Sequence, residues 1–560
     1  MLRLQYTLII LFFISTGFGQ SKLSDIIERY EDLEKELSED RTMPWPLETD
    51  EIVSVRIEGY RTLLDELDKL DYASLDDNES INADMLKYIL SDKLYLLQYG
   101  DWYMPLNAEG GFITGMIYSS RGWNLTDSSR TERYLDRLRN IPAYFQGRKS
   151  HMLEGLSMGR IHPKLVVNNC IQILDDIITQ DLAFLYQPAL DSGLSIDAEL
   201  MDSIDNAFED FRTFLSERYL PYARDEIGYS ANKDGKAFYR QRVRYFTSLD
   251  MSPEEVYNIG IDEVEKIKAQ MLEILQELEY GGSLDDFINM LRTDERFYAK
   301  TPEELLYYAS WLSKKAEEFL PRYFGTLPRL PFTVKPVPEN IAANYTTGRY
   351  SGGSMKTGKA GEYWVNTYDL KSRPLYMMTA LTLHEAVPGH HLQGSLASEL
   401  TDLPVFRKQY LSAFGEGWGL YSEYLGREAG MYETLYDLFG SLSYEMWRAC
   451  RLVIDPGIHY MNWTRDEAID FMTKHTSLTP HEIENEIDRY IGWPGQAVSY
   501  KIGEIKIREL RNKAENQLGE KFDIKSFHDT LLANGSVTLK TLERIIDDYI
   551  NENIEDEQKN

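Results

Sequence analysis

Apolar residues recur at helical spacing along nearly the whole chain, and helix-start signals punctuate the recurrences. Ser252-Pro253-Glu254-Glu255, Thr301-Pro302-Glu303-Glu304 and Thr479-Pro480-His481-Glu482 share one logic. A hydroxyl caps the helix, proline takes its first position and glutamate reaches back to the cap. Thr464-Arg465-Asp466-Glu467 is a further capping box. One stretch, about residues 330–367, breaks the pattern with runs of strand-forming residues, Leu330-Pro331-Phe332-Thr333-Val334-Lys335-Pro336-Val337 and Glu362-Tyr363-Trp364-Val365-Asn366-Thr367. The pattern predicts a mainly α protein: two helical halves around a deep cleft, with a small β-sheet beside the helix that follows Met377. No linker rich in Pro, Gly or Ser divides the chain, so residues 20–560 read as one large helical domain.

Composition narrows the function classes. With 43% hydrophobic residues over 560 positions the chain has ample material for a core, and no repeat or low-complexity tract argues for an array or disorder. Ninety-one acidic residues against 60 basic ones give a net charge of −31. Such a surface repels phosphate backbones and anionic headgroups, which excludes nucleic acid as a partner and leaves small neutral or cationic substrates. Residues 1–19 place Arg3 ahead of an apolar stretch from Leu8 to Ile14 and then small residues at Gly17 and Gly19, the layout of a secretory signal peptide cleaved near Gly19/Gln20. The expected location is therefore secreted or periplasmic. No Cys follows the apolar stretch to carry a lipid, and no later segment reaches the ~20 apolar residues of a membrane span. Only Cys170 and Cys450 are present, so stability rests on the core.

The chemistry concentrates in Leu383-His384-Glu385-Ala386-Val387-Pro388-Gly389-His390-His391-Leu392-Gln393, where three of the nine histidines fall beside a carboxylate. In zinc hydrolases His-Glu-x-x-His sets two imidazoles one helical turn apart, with the glutamate placed to take a proton from water on the metal. Here Pro388 occupies the position of the second histidine. On a regular helix His390 would sit about 9 Å along the axis from His384 and on another face, while His391 would return to the same face about 10.5 Å away. Zinc needs its two nitrogens about 3.3 Å apart. Pro388 lacks the N–H that the His384 carbonyl would receive and Gly389 permits unusual backbone, so a two-residue bulge is expected to bring His390 to the ligand position. His391 then either supports the ligands from behind or faces substrate; a full break and restart of the helix would instead carry His391 inward.

A third ligand is offered by Gly415-Glu416-Gly417-Trp418-Gly419-Leu420-Tyr421-Ser422-Glu423. Glu416 stands among glycine and aromatic residues, where an unpaired carboxylate is costly and a cation would compensate it. Glu423 follows seven residues later on the same helical face, either supporting the site or acting as the ligand itself.

These segments resemble a known family. His384-Glu385-Ala386-Val387-Pro388-Gly389-His390-His391-Leu392-Gln393, Glu416 to Glu423, Arg451-Leu452-Val453-Ile454-Asp455-Pro456-Gly457-Ile458-His459, and Arg489 to Gly503 are similar to the bacterial family catalogued as domain of unknown function 885, over nearly the whole mature chain. That family in turn resembles carboxypeptidase Taq, thimet oligopeptidase and angiotensin-converting enzyme, which are helical zinc peptidases. The resemblance implies a glutamate ligand roughly 25 residues after the second histidine, matched by Glu416. It also implies a late tyrosine that hydrogen-bonds the oxyanion, matched by Tyr500 with Tyr490 as second choice. A strand that pairs with the substrate backbone is matched by Tyr363 to Asn366. Arg448, Arg451 and His459, at helical spacing, are candidates for binding a carboxylate or for internal ion pairs.

Two other chemistries are set aside. Gly353-Ser354-Met355-Lys356-Thr357-Gly358-Lys359-Ala360 approaches a phosphate-binding loop, but Ala360 lacks the magnesium-holding hydroxyl and a strand, not a helix, follows; a flap fits better. No Gly-x-Ser-x-Gly elbow supports a serine hydrolase. The expected function is a secreted or periplasmic zinc hydrolase cleaving amide bonds of small peptides or N-acyl amino acids. Its metal ligands are His384, His390 and Glu416, its general base Glu385 and its oxyanion donor Tyr500. His391, Tyr363, Asn366, Arg451, His459 and Tyr490 are expected to touch substrate. The competing expectation is a catalytically inactive peptide-binding protein of the cell envelope.

Overall fold

The start signals read from the sequence do open helices. Ser252 with Glu255 and Thr464 with Glu467 form complete capping boxes, and Thr479 with Glu482 exchanges the same pair of bonds. At Thr301 the hydroxyl caps Glu304 N–H, but the Glu304 carboxylate turns to the Lys300 N–H instead. The computed structural model describes residues 22–38, 44–120, 123–342 and 345–555; the leader expected at residues 1–19 lies outside them. The fold is mainly α, and contacts divide it into two compact units.

The first unit holds the described residues up to Phe238 together with Asp488–Trp493. It is built from helices that include α1 (Asp50–Leu67), α2 (Asp77–Tyr99), α3 (Ile141–Met158) and α4 (Ala198–Thr213). Aromatic rings knit α3 to α4: Phe145 meets Phe208 edge to face at 4.8 Å and Phe211 at 5.0 Å.

The second unit runs from Tyr239 to Ile487 and from Pro494 onward. It opens with α5 (Pro253–Glu277), α6 (Leu284–Thr293) and α7 (Pro302–Tyr323). A three-stranded sheet follows, β1 (Phe332–Pro336), β2 (Gly348–Ser351) and β3 (Gly361–Val365), in the order β1-β3-β2, with β1 parallel and β2 antiparallel to β3. Helices then return: α8 (Leu375–Glu385), α9 (His390–Glu399), α10 (Ser412–Glu428), α11 (Leu435–His459), α12 (Arg465–His475), α13 (Pro480–Gly492, assigned to the first unit from Asp488 on), α14 (Ser499–Leu518) and α15 (Ile524–Leu532). Nearly every residue of α11 from Phe439 onward is buried, the signature of a helix enclosed on all sides. α5 packs along it, and α10 packs along α14.

The sheet lies where the sequence placed it, but its topology differs from expectation. The segment expected to offer a free edge to substrate, Tyr363 to Asn366, starts on β3, the central strand, whose two edges are already paired. Tyr363 and Asn366 are fully buried. The Asn366 amide donates to the carbonyls of Ala342, Tyr345 and Thr346, so its work is to clamp the chain entering β2. Cys170 and Cys450 are free and buried. No described helix is long and apolar enough to cross a membrane.

Candidate metal centre

Between α8 and α9 the helix breaks completely, where the sequence predicted a bulge. Pro388 has no N–H to give the His384 carbonyl, and the chain leaves the helix at Ala386. The gap is closed by other bonds: Gly389 N donates to Leu383 O at 3.0 Å, His391 N to Ala386 O at 3.1 Å, and the Trp418 indole to Pro388 O at 2.8 Å. The Val387–Pro388 peptide is cis. A Cβ on Gly389 would lie 1.9 Å from the His384 carbonyl oxygen, so glycine alone fits there. The restarted helix has His390 as its first residue, and His390, not His391, is brought to His384.

His384, His390 and Glu416 come together with their ligand atoms all within 4.8 Å of one another. Glu416 Oε2 lies 3.4 Å from Nε2 of His384 and 3.4 Å from Nε2 of His390. Donor atoms at the corners of a tetrahedron with 2.0–2.1 Å metal bonds are separated by about 3.3–3.4 Å. Two imidazoles and a carboxylate at that spacing fit zinc and leave a fourth corner open. The two rings stand nearly perpendicular, 88° apart with centroids at 4.7 Å, so their lone pairs converge without stacking.

Two of the three candidate ligands, His384 and Glu416, are held from behind. His384 Nδ1 donates to Glu423 Oε1 at 2.8 Å, which leaves Nε2 as the lone pair facing the site. Glu423 Oε1 is also 3.4 Å from Arg448 Nη2. The His384 ring lies flat against Gly419, where a Cβ would stand 2.5 Å from the ring. The spacing of Glu416, Gly419 and Glu423 thus gives α10 one face that grips a single imidazole. Glu416 Oε1 accepts from the Tyr410 hydroxyl at 2.9 Å. Burial disfavours charge on His384, but Glu416, Glu423 and Glu385 outweigh it and raise its pKa to about 9. Burial likewise opposes charge on Glu416, yet His390 and His384 hold its carboxyl well below the usual range. The cluster is arranged to favour a positive charge among its carboxylates.

Glu385 follows His384 at the end of α8. Its Oε2 accepts the backbone N–H of Tyr350 at 2.7 Å, so β2, the outer strand, fixes the carboxylate. His391 turns the other way. Its Nδ1 meets the Tyr350 hydroxyl at 3.1 Å and Ser395 Oγ at 3.2 Å, its ring packs on Phe332, and burial lowers its pKa to about 4. It joins α9 to the sheet.

Tyr500, half-buried near the start of α14, stacks on the Arg451 guanidinium at 4.2 Å. Glu385 and Tyr500 both act electrostatically on Arg349, while Glu416 and Tyr500 both act on the Tyr410 hydroxyl. Arg451 is buried, bonds Glu486 at 3.1 Å and also stacks on Trp447. His459 is fully buried against Tyr239 with ring centroids 5.3 Å apart. Tyr490 is buried and belongs to the first unit.

Tyr410 and Tyr350 touch this cluster and were missed by the sequence reading. Tyr410 lies in the loop before α10, and Tyr350 acts on Glu385 through its backbone, so neither leaves a side-chain pattern to read. Next to Tyr500, Lys501 is fully buried among Glu445, Glu504 and Glu263 at 2.7, 2.8 and 3.0 Å. Its only sequence signal is that it ends the uncharged run from Tyr490 to Tyr500.

Solved structures share this fold. One, described as a "putative lipoprotein" from Colwellia psychrerythraea, superposes with a TM-score of 0.83 at 24% identity, covering 95% of this chain and 100% of the other. Another, described likewise and of unknown function, from Shewanella oneidensis, gives a TM-score of 0.77 at 18% identity over 94% of this chain and 100% of its own. Among curated proteins none matches the chain. The signature of the bacterial proteins of unknown function named DUF885 matches residues 44–546, a span that includes the helix break, all three candidate ligands and the Tyr500 segment, and the chain belongs to that family.

Proposed function

We propose that this chain is a zinc-dependent hydrolase of the cell envelope or exterior that cleaves amide bonds in small peptides or N-acyl amino acids. The observation that carries the reading is the position of Glu416 Oε2, 3.4 Å from both imidazole nitrogens, with Glu385 following His384 directly. His384, His390 and Glu416 would hold the metal. Bound zinc would supply a water acidified to a pKa of about 7 and a Lewis acid for the scissile carbonyl. Glu385, aimed by the Tyr350 N–H, accepts the proton and passes it to the leaving amine. Glu423 fixes the His384 tautomer, and Tyr410 orients Glu416. Tyr500 donates a hydrogen bond to the oxyanion that develops at the carbonyl.

The likeness of the His384 to Gln393 and Glu416 to Glu423 segments to helical zinc peptidases supports the reaction class. The leader-like residues 1–19 support the location, and the lipoprotein description of both solved relatives agrees with it. The test combines metal analysis of the purified protein with a screen of dipeptides and N-acyl amino acids. About one zinc per chain and metal-dependent turnover are expected. Full activity in metal-free protein would overturn the reading, and bound peptide without turnover would make the chain a peptide-binding protein.

A further inference from the structure

A cavity of about 90 Å³ in the second unit gathers basic groups in a chain whose net charge is −31. Arg292 at the end of α6, and Lys371 and Arg373 just ahead of α8, line it against one carboxylate, Glu482. That carboxylate is already committed. Its Oε1 accepts from Arg373 Nη1 at 2.9 Å, while its Oε2 accepts from Thr479 N and Oγ1 at 3.1 and 2.9 Å to cap α13. The cavity therefore keeps a surplus of two positive charges.

The cations are poorly neutralised. Arg292 donates to the carbonyls of Ser477, Thr476 and Leu478 at 3.1, 3.1 and 2.7 Å, bonds that position a guanidinium without cancelling its charge. Arg373 is only 6% exposed, and its Nε is buried with no hydrogen-bond partner. Lys371 is exposed and has no carboxylate partner among the described residues. Pro374, Tyr376 and Met377 bring the start of α8 to the same cavity, and no side chain caps that helix. Its N-terminus adds partial positive charge.

We propose that this cavity binds a small oxyanion: the head of a phosphate, sulfate or carboxylate held by Arg373, Arg292 and Lys371. A water needs about 10–15 Å³ of such volume, so the cavity has room for one oxyanion with a short substituent and none for a peptide of several residues. The site is distinct from the metal centre. Tyr376 precedes His384 by eight residues of α8, a separation of about 12 Å along the axis. The proposal stands independently of the hydrolase reading.

The test is calorimetric titration of the full chain with inorganic phosphate, sulfate and acetate at constant ionic strength. Saturable binding of at least one of them is expected. A preference for phosphate or sulfate identifies a tetrahedral ligand, and a preference for acetate a carboxylate; both support the site. Lys371→Glu should weaken binding by about tenfold or more. Lys356→Glu makes the same change of net charge at an exposed lysine outside the cavity and should leave affinity within about twofold. Absence of saturable binding up to about 50 mM, or equal affinities for Lys371→Glu and the wild type, would overturn the proposal.

Discussion

Glu423 and Glu416 hold opposite nitrogens of one imidazole: Glu423 Oε1 is 2.8 Å from His384 Nδ1, and Glu416 Oε2 is 3.4 Å from Nε2. Both carboxylates come from one face of α10, and Arg448 neutralises the outer one. The outer pair sets the tautomer and the direction of the inner lone pair. Glu423→Gln should therefore lower zinc affinity by about 10–100-fold while the protein stays folded. Competition with a chelator reads the affinity, and an unchanged value would reduce Glu423 to a core ion pair.

The adjacent histidines should differ in kind. His390 faces Glu416, whereas His391 is bound to Tyr350 and Ser395 and stacked on Phe332. His390→Ala should lose most of the metal and keep its fold. His391→Ala should keep the metal and lose stability, by about 1–3 kcal/mol for a buried hydrogen-bonded side chain. Metal content and urea unfolding of the two variants decide the matter, and the opposite pattern would assign the inner ligand to His391.

Glu385→Gln preserves the shape of the side chain and removes the base. Zinc content should stay at the wild-type level while turnover falls by about 10²–10⁴. Retained turnover would move the proton acceptor to another group.

The helices were legible because caps and periodicity are local properties, as the boxes at Ser252 and Thr464 show. The three residues that the structure gathers were legible because His384, His390 and Glu416 stand in short segments with little else to explain them. Sheet order was not, since it depends on which strand the chain lays down last. β3 follows β2 in sequence but inserts between β1 and β2, and this buries Tyr363. The geometry of the break was only half legible. Pro388 announced that the helix could not continue, but the side on which it resumes is decided by remote groups, Trp418 bonding the Pro388 carbonyl and Phe332 receiving the His391 ring.

Lys501 lies beside Tyr500 and meets three carboxylates with no exposure of its own. Arg427 and Arg508 reach the network through Glu445 and Glu504 and the exposed Lys266 through Glu263, but Lys501 is the cation that lies fully buried among all three carboxylates. Lys501→Met would take the buried ammonium away from three carboxylates, at a cost of about 3–5 kcal/mol. The double variant with Glu504→Gln removes one of those carboxylates and should recover part of the loss. Urea unfolding of both variants measures this, and equal losses would show that the lysine acts by packing alone.

His528 predicts the acid limb of the stability curve. Its Nδ1 donates to Tyr323 O and its Nε2 accepts from the Tyr421 hydroxyl, each at 2.8 Å, and the second bond requires the neutral ring. Burial, aided by the Arg511 charge, depresses its pKa to about 3. In the unfolded chain the ring titrates near 6.5. Between these values the unfolded state binds a proton that the folded state refuses, so the contribution is fully present above about pH 6.5 and is lost as the pH falls toward 3. The slope from this one group approaches about 1.4 kcal/mol per pH unit. His528→Gln cannot titrate, so its stability at pH 5 should lie closer to that of the wild type than at pH 7, whatever the fixed cost of the substitution. Urea unfolding at pH 7, 6 and 5 gives the comparison. Two parallel curves would mean that His528 is protonated in the folded protein and that its bonds to Tyr323 and Tyr421 do not persist in solution.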